Sequence, residues 1–331
     1  MKKPIIAITM GDAAGIGPEV TVKVLNQERV YEICRPLVIG DGGVLQKVID
    51  DNKLRLSLNL LKDPRDARFN RGIIDVLDLG NIKLTKLEMG RVNKMCGQAA
   101  VEYVQKAVRL ITAKKIDAIV TAPLCKEAMH KAGFHYGGHT ELLAKLSKTP
   151  KVVMMLAGGT LKTVLVTTHL PLKKVPSSLT IQKIFEVVKI TDEAMRKFFG
   201  IDNPRIIVAS LNPHAGEGGI LGREEKQVIT PAVNKAAKEG IYINGPFPPD
   251  QAIYEAASGK FDVVVVMYHD QSLIPVKLLA YKKGVNVTLG LPFVRTSPCH
   301  GTAFDIAGEG LADASSMFEA LSLAGKMAAK K

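Results

Sequence analysis

Tryptophan is absent from the 331-residue sequence, and all aromatic residues together make up only 5% of it. Nucleic-acid surfaces usually combine a basic face with aromatic side chains on which bases stack. The basic residues, which give a formal net charge of +13, are instead scattered along the chain. We therefore expect no nucleic-acid partner and interpret the excess charge as a diffuse positive field that attracts anionic substrates.

Cysteine is scarce as well, and no two cysteines form a CxxC pair. The four cysteines are Cys34, Cys96, Cys125 and Cys299. Their spacing argues against a disulfide framework, which is typical of small secreted domains, and against a zinc site built from thiolates.

Long apolar runs are also missing, since none approaches the length of a membrane span. The apolar stretch near the N-terminus ends at Gly11-Asp12, and no small-residue cleavage site of a signal peptide follows it. We therefore expect this stretch to be a buried strand and the protein to be cytoplasmic, with no membrane partner.

Short apolar runs alternate with amphipathic segments of helical period along the chain. This alternation predicts an α/β protein with a mostly parallel sheet, and the chain length suggests two lobes. Helices are predicted around Val101–Ile111 and Ile181–Met195 and from about Asp313 towards Lys330. The clearest buried strands are Ile5–Met10, Leu37–Gly40, Ala118–Thr121, Val152–Leu156, Val164–Thr167, Ile206–Ser210 and Val263–Met267.

Histidines follow three of these predicted strands, and they are His169, His214 and His269. The carboxyl ends of parallel strands meet at one edge of the sheet, where open α/β proteins bind ligands. Histidine is the commonest metal ligand, and three protein ligands with an open position are typical of catalytic zinc. The alternative is three unrelated loop histidines, but their common placement favours a metal site. Asp270 is a candidate for orienting an imidazole, or else a helix cap.

A second pattern indicates an anion site. The loop Gly137–Glu141 precedes a predicted helix, and a helix N-terminus that carries the His139 imidazole and the Thr140 hydroxyl suits an anion. Thr140 can also act simply as the helix cap. Arginine can grip phosphate with two hydrogen bonds, and lysine supplies a point charge. Further candidates, in or beside segment 285–292, are Lys277, Asn286 and Arg295.

Two glycine-rich loops are further candidates. Asn212–Gly219 contains too much glycine and proline for a strand or a helix, and its glycines allow close approach of the backbone to a ligand. Gly11–Glu19 follows the first strand, but its glycine spacing departs from the GxGxxG pattern of dinucleotide-binding proteins. Its cofactor signal is therefore weak. The chain contains neither a Walker A motif nor a GxSxG elbow.

Taken in order, these motifs resemble the 4-hydroxythreonine-4-phosphate dehydrogenase family. The shared motifs are Gly11-Asp12, Gly138–Glu141, Thr167–Leu172, Leu211–Glu217, Tyr268–Gln271, Asn286–Pro292 and His300–Ala303. The resemblance implies a two-lobed α/β/α fold of the isocitrate/isopropylmalate dehydrogenase type, with residues 1–331 forming one catalytic unit. The expected lobes are residues 1–125 plus 285–331, and a metal-bearing lobe of residues 126–284. It also implies a homodimer with active sites shared between subunits.

The resemblance also implies roles for particular residues. A divalent metal (zinc, magnesium or cobalt) would be held by His169, His214 and His269, with ligands drawn from both subunits. The substrate contacts would be His139, Thr140, Lys277, Asn286 and Arg295. NAD or NADP is the expected cofactor, with Gly11, Asp12, Gly15 and Gly17 as candidate contacts. The base that accepts the alcohol proton is left open among Asp250, Asp270 and Lys126.

The implied reaction is oxidation and decarboxylation of 4-phosphohydroxy-L-threonine to 3-amino-2-oxopropyl phosphate and CO2. Pro298-Cys299 replaces the Val-Asp pair of the pyridoxal-pathway pattern and resembles the branch that converts 4-phospho-D-threonate or 4-phospho-D-erythronate to dihydroxyacetone phosphate and CO2. Thr168–Leu172 is closer to the pyridoxal-pathway branch, and Ala13 stands where the family usually has proline. Alternatives of other classes are a non-redox, metal-dependent aldolase or epimerase and a non-catalytic phosphometabolite-binding protein.

Overall fold

All seven apolar runs predicted to be buried strands are strands in the computed structural model, which describes residues 3–330. Residues 1, 2 and 331, which the predicted lobes include, lie outside the described residues. The strands of the described chain are β1 (Ile5–Thr9), β2 (Arg35–Gly40), β3 (Ser57–Leu61), β4 (Ile73–Asp78), β5 (Ala118–Thr121), β6 (Val153–Gly158), β7 (Leu161–Leu165), β8 (Ile206–Ala209), β9 (Ile243–Phe247), β10 (Val263–Val266), β11 (Val285–Leu289) and β12 (Val294–Pro298).

The predicted helices are also present, and the helix predicted around Ile181–Met195 begins and ends with recognisable caps. The Thr180 side chain accepts a hydrogen bond from Lys183 N at 3.1 Å, and Gly200 ends the same helix with a left-handed φ of 68°. The α-helices are α1 (Gly17–Leu25), α2 (Glu28–Ile33), α3 (Gly42–Asp51), α4 (Lys94–Thr112), α5 (Lys126–Lys131), α6 (His139–Leu146), α7 (Val175–Ser178), α8 (Ile181–Phe199), α9 (Thr230–Lys238), α10 (Pro249–Ala257), α11 (His269–Ala280) and α12 (Ser315–Ala329). None of those formed by residues 3–330 is both long enough and apolar enough to cross a membrane.

The contacts of the chain divide it into two units. The first comprises the described residues up to Pro150 together with Leu291–Ala329. The second comprises Lys151–Gly290 and also Lys330. By these contacts residues 126–150 belong to the first unit, and residues 285–290 belong to the second.

The first unit contains an entirely parallel sheet in the order β3-β4-β2-β1-β5-β12. Its central strands are buried along almost their whole length because helices pack against them, α4 on β1, β2 and β5, and α12 on β12, β5 and β1. Buried parallel strands read as continuous apolar runs, which explains why they were predictable. The loops after β1, β5 and β12 lie at the carboxyl edge of this sheet.

The second unit has the strand order β11-β6-β7-β10-β8-β9. β6 is antiparallel to both of its neighbours, whereas β7, β10, β8 and β9 run parallel to one another. Side chains from α10 and α11 complete an apolar cluster with these strands, which includes Leu165, Ile207, Val264, Ala252 and Val276. The predicted α/β fold with a mostly parallel sheet is therefore confirmed.

The loop after β1, which carries the candidate cofactor glycines, is buried throughout. A Cβ atom at Gly11 would lie 2.3 Å from Pro123 O, and one at Gly17 would lie 2.4 Å from Met10 O. A Cβ atom at Gly15 would lie 2.9 Å from Thr302 O. Contact with protein backbone therefore accounts for glycine at all three positions, without a ligand.

Asp12 is enclosed in the same loop and is fully buried. Its Oδ1 accepts a hydrogen bond from Ala14 N at 2.9 Å. Burial raises the pKa of the Asp12 carboxyl from 3.8 to about 6, although hydrogen bonds with the backbone of Ala14 and Cys125 act in the opposite direction. The protonated carboxyl is thus favoured by the fold.

Because the pKa of Asp12 is raised by folding, its stabilising contribution is full below pH 3.8 and is lost as the pH rises through about 6. Asp12→Asn is neutral at every pH, so its free energy of unfolding relative to wild type should increase from pH 4 to pH 8. A shift of roughly two pKa units corresponds to about 3 kcal/mol at most. Urea unfolding followed by circular dichroism measures this difference.

The control is Asp50→Asn, which removes an exposed carboxylate from α3. Its stability relative to wild type should not follow the same trend with pH. A pH-independent difference between Asp12→Asn and wild type would contradict the assignment of a raised pKa to Asp12.

Candidate active site

Four parallel strands of the second unit end at the same edge, and each leads into a residue with metal-binding or acid–base chemistry. His169 follows β7, His269 follows β10, His214 follows β8 and Asp250 follows β9. The buried side chain of Gln271 ties two of these ends together, because its Oε1 accepts from Met267 N and its Nε2 donates to Ser210 O, both at 2.8 Å.

The structure brings His169 and His269 together. Their ring centroids are 5.5 Å apart and the ring planes are inclined by 49°. The pairing of β7 with β10 continues beyond the strands, since Val166 N donates to Val266 O at 2.9 Å and Thr167 N donates to Met267 O at 3.2 Å. The loops that carry His169 and His269 therefore lie side by side beyond the strand ends.

His269 is the first residue of α11, and its ring is held by the next residue. Nδ1 of His269 lies 2.7 Å from Oδ1 of Asp270. A carboxylate on one ring nitrogen fixes the orientation of an imidazole and leaves the other nitrogen for a metal. The alternative role predicted for Asp270, a helix cap, is not seen, because no side chain caps α11 and the cap residue is Tyr268.

His214 lies in a turn of unusual backbone conformation. His214, Ala215 and Glu217 have φ values of 51°, 52° and 42°, and the intervening Gly216 and the following Gly218 are left-handed as well. The left-handed helical conformation costs an L-residue about 1–2 kcal/mol, so the surrounding structure must hold this turn in place. Strained backbone of this kind clusters at functional sites.

The donor set suits a zinc-like ion, although the described residues of one chain do not complete the predicted site. Two imidazoles and a carboxylate that orients one of them are the usual components of a histidine metal site. Within residues 3–330, no three His, Cys, Asp or Glu side chains are grouped so as to hold a metal ion. The three-histidine ligand set therefore stays a prediction.

In the first unit, α6 begins at His139 with its first turn open. The cap residue is Gly138, with a φ of 156°, and no side chain caps the helix. Thr140 is therefore the second residue of the helix and not its cap, which corrects one of the two roles considered for it. The uncapped N–H groups of the first turn are suited to an anion.

Arg295 on β12 brings a positive charge into the interior, because the residue is only 3% exposed. Its Nη2 donates to Thr121 Oγ1 at 2.7 Å. Burial lowers the pKa of the guanidinium to about 10, while Cys299 and Glu141 act in the opposite direction. A buried positive charge beside a helix N-terminus favours binding of an anion.

The imidazole of His139 lies close enough to Arg295 to be affected by its charge. Burial lowers the pKa of His139 well below its usual value, and the positive charge of Arg295 lowers it further. His139 is therefore neutral at pH 7. Its Nε2 is buried and has no hydrogen-bond partner among the described residues, so this atom is available to a ligand.

The other predicted site residues are divided between the units. Lys126 begins α5, and its Cε would be 3.6 Å from a Cβ atom at Gly138, so it lies beside the start of α6. Asn286 on β11 has a buried Oδ1 with no partner in the described chain. Lys277 and Asp250 are exposed, on the last turn of α11 and the first turn of α10.

Two buried residues of the second unit were missed by sequence reasoning. Glu225 accepts hydrogen bonds from Leu211 N at 2.9 Å and Asn212 N at 2.8 Å, just before the turn that carries His214. Gln271 joins the ends of β10 and β8 as described above. Nothing in the local sequence marks either residue as buried, because both contact residues from other parts of the chain.

Comparison with known proteins agrees with the motifs. The chain is 46% identical over 322 residues to the 4-hydroxythreonine-4-phosphate dehydrogenase of Desulforapulum autotrophicum, covering 97% of this chain and 95% of that protein. It is 46% identical over 329 residues to the D-threonate 4-phosphate dehydrogenase of Cupriavidus necator, covering 99% and 98%.

The crystal structure of 4-hydroxythreonine-4-phosphate dehydrogenase from Klebsiella pneumoniae superposes with a TM-score of 0.93 at 41% identity and covers 98% of both chains. The profile of the family described as pyridoxal phosphate biosynthetic protein PdxA matches residues 32–324. The resemblance predicted from the sequence motifs is thus confirmed, and the chain belongs to the PdxA family of pyridoxal phosphate biosynthetic proteins.

Proposed function

We propose that this protein is an NAD(P)-linked, metal-dependent dehydrogenase that oxidises and decarboxylates a 4-phosphorylated 3-hydroxy acid. The observation that carries the proposal is the buried guanidinium of Arg295 beside the neutral imidazole of His139, at the uncapped start of α6. This arrangement suits the phosphate group. The relatives named as dehydrogenases of such substrates support the rest.

Two substrates fit this class. The first is 4-phosphohydroxy-L-threonine, which would give 3-amino-2-oxopropyl phosphate and CO2. The second is 4-phospho-D-threonate, or its erythronate isomer, which would give dihydroxyacetone phosphate and CO2. Cys299 favours the second, because it lies within electrostatic range of Arg295 and offers a thiol where the pyridoxal-pathway pattern has a carboxylate that could pair with a substrate ammonium group.

The proposed chemistry has two steps. The C3 hydroxyl gives its proton to a base while hydride leaves C3 for the nicotinamide. The resulting β-keto acid loses CO2, and the carbanion left at C2 takes up a proton. A divalent metal held by His169, His214 and His269 would supply the Lewis acid that makes the alcohol more acidic and stabilises the enolate.

Three residues of this chain, Asp270, Lys126 and Asp250, have different roles in the proposed reaction. Asp270 orients His269 through the 2.7 Å contact and is thereby committed to that ring. Lys126 lies beside the start of α6 and suits the phosphate group better than the alcohol. Asp250 is exposed at the edge that carries the histidines, so it suits the role of the base best.

A homodimer with shared sites is part of the proposal. Ile274, Leu278 and Tyr281 lie on one face of the segment that begins with His269, and they are 58%, 82% and 77% exposed. Leu170 and Leu172, just after His169, are also exposed. Large exposed apolar patches are typical of protein interfaces. A second copy covering this patch would lie beside His169 and His269 and would complete the ligand set, and two-fold symmetry would repeat the site in both subunits.

The function is tested by following the nicotinamide absorbance of metal-free protein reloaded with Zn²⁺, Mg²⁺ or Co²⁺. Each metal is combined with NAD or NADP and with each of the three phosphorylated acids. We expect metal-dependent reduction of the nicotinamide with one acid. His269→Ala should lose this activity, and His130→Ala, which changes an exposed histidine of the first unit, should retain it.

The same experiment separates the rival functions. Turnover of a phosphorylated acid without nicotinamide would identify an aldolase or epimerase instead. Tight binding of the acid without turnover, in metal-loaded protein, would identify a binding protein.

Arg295→Gln tests the phosphate site. Loss of a charged hydrogen bond to phosphate costs about 1.5–3 kcal/mol, so KM for the phosphorylated acid should rise about 10- to 150-fold. The free energy of unfolding is measured in parallel, because the substitution removes both a charge that burial disfavours and the hydrogen bond to Thr121. Arg109→Gln on the exposed side of α4 is the control. An unchanged KM would exclude Arg295 from substrate binding.

Leu278→Glu tests the dimer. We expect wild type to elute as a dimer in size-exclusion chromatography with light scattering, and we expect a charge on the exposed apolar face to give a monomer. Leu311→Glu changes an exposed leucine of the first unit and should leave the dimer intact. A monomeric wild-type protein would refute the shared-site arrangement.

A further inference from the structure

The turn that carries His214 has an unfavourable backbone conformation, which contacts with the surrounding residues stabilise. Five successive residues, 214–218, have left-handed φ angles, and three of them are not glycine. A free loop of this composition would relax to other conformations, because L-residues disfavour this region. Something in the surrounding structure therefore selects this conformation.

The chain just before the turn is fixed by one buried carboxylate. Glu225 is 3% exposed. Its Oε1 accepts from Leu211 N at 2.9 Å and from Asn212 N at 2.8 Å, and its Oε2 accepts from the Asn212 side-chain amide at 3.0 Å. These hydrogen bonds end two residues before His214.

Contacts with residues 221–226 hold the middle and the end of the turn. Gly216 packs directly on the carboxylate, since a Cβ atom there would lie 2.6 Å from Glu225 Oε2. Leu221 N donates to Gly216 O at 3.2 Å. The ammonium group of Lys226, next to Glu225, donates to Gly218 O. Glu225 and Lys226 thus contact the turn at Gly216 and Gly218.

We propose that Glu225 is a positioning residue, which holds the left-handed turn so that the His214 imidazole is presented to the metal. The inference rests on the proposed role of His214 as a metal ligand. A wound, anchored turn confines the imidazole to few orientations, and pre-organised ligands bind a metal more tightly than mobile ones. Disturbing Glu225 should therefore lower the affinity of the protein for the metal.

Two glycines of the turn provide a matched test. Gly216 and Gly218 are both left-handed, with φ values of 76° and 68°, so alanine strains the backbone similarly at either position. Only Gly216 faces Glu225, because a Cβ atom at Gly218 has no atom within 4 Å. Gly216→Ala should weaken Co²⁺ and Zn²⁺ binding about 10- to 100-fold, the usual effect of disturbing residues that orient metal ligands. Gly218→Ala should stay much closer to wild type.

Glu225→Gln is the second variant and keeps the test valid if Gly216→Ala does not fold. The glutamine has nearly the same shape, but its amide faces the Asn212 amide, and two donors cannot bond to each other. Metal affinity is measured on the full-length protein by competition with a chromophoric chelator. The unfolding of the metal-free protein is measured in parallel, and Glu193→Gln on the exposed side of α8 is the control.

Weaker metal binding in Gly216→Ala and Glu225→Gln, with Gly218→Ala and Glu193→Gln near wild type, is the expected result. Lower stability of the metal-free protein with unchanged metal affinity would show that Glu225 is structural only and would overturn the inference. Wild type that binds no metal, or His214→Ala that binds it as tightly as wild type, would refute the proposed role of His214. If His214 is not a metal ligand, the inference about Glu225 fails too. This failure is detected with wild type and His214→Ala alone, without the glycine variants.

Discussion

The parallel pairing of β7, β10 and β8 is the constraint on which the proposed metal site depends. β10 lies between the other two strands and is hydrogen-bonded to both. The pairing continues past the strand ends through Val166 and Thr167, and Gln271 joins the end of β10 to Ser210. The loops that carry the histidines are thus fixed within a few residues of each imidazole. Sites supported in this way are more precise than sites on free loops.

The two units carry groups of different chemistry. The first unit buries the Arg295 guanidinium beside the neutral His139 imidazole, and both features favour an anion. The second unit gathers the imidazoles of His169 and His269 with the carboxylate of Asp270, which are donors suited to a cation. The chain thus carries groups suited to a phosphate in its first unit and groups suited to a cation in its second unit.

The sequence predicted the parts of this arrangement that depend on strand burial. Four consecutive valines in β10 mark a strand covered on both faces, and the place of His269 follows because parallel strands end at one edge. The open helix start could not be predicted, since Thr140 is an equally good cap by composition and only the backbone of Gly138 decides the outcome. The burial of Glu225 was also unpredictable, because it depends on residues 211–212 folding back onto it.

At the proposed site, the structure overrules the usual preferences of residues for backbone conformation and for exposure of charge. Such unfavourable features alone do not identify a site. The left-handed His214 and the buried Arg295 both lower stability, and the apolar strands around them must offset the loss. Asp12 is also unfavourable, since burial raises its pKa, yet it is fully enclosed by protein. The residues of the proposed site differ from Asp12 in whether a ligand can reach them. His139 and Asn286 keep partly exposed side chains with unsatisfied buried atoms, so a ligand can reach them, whereas none can reach Asp12 without displacing its loop.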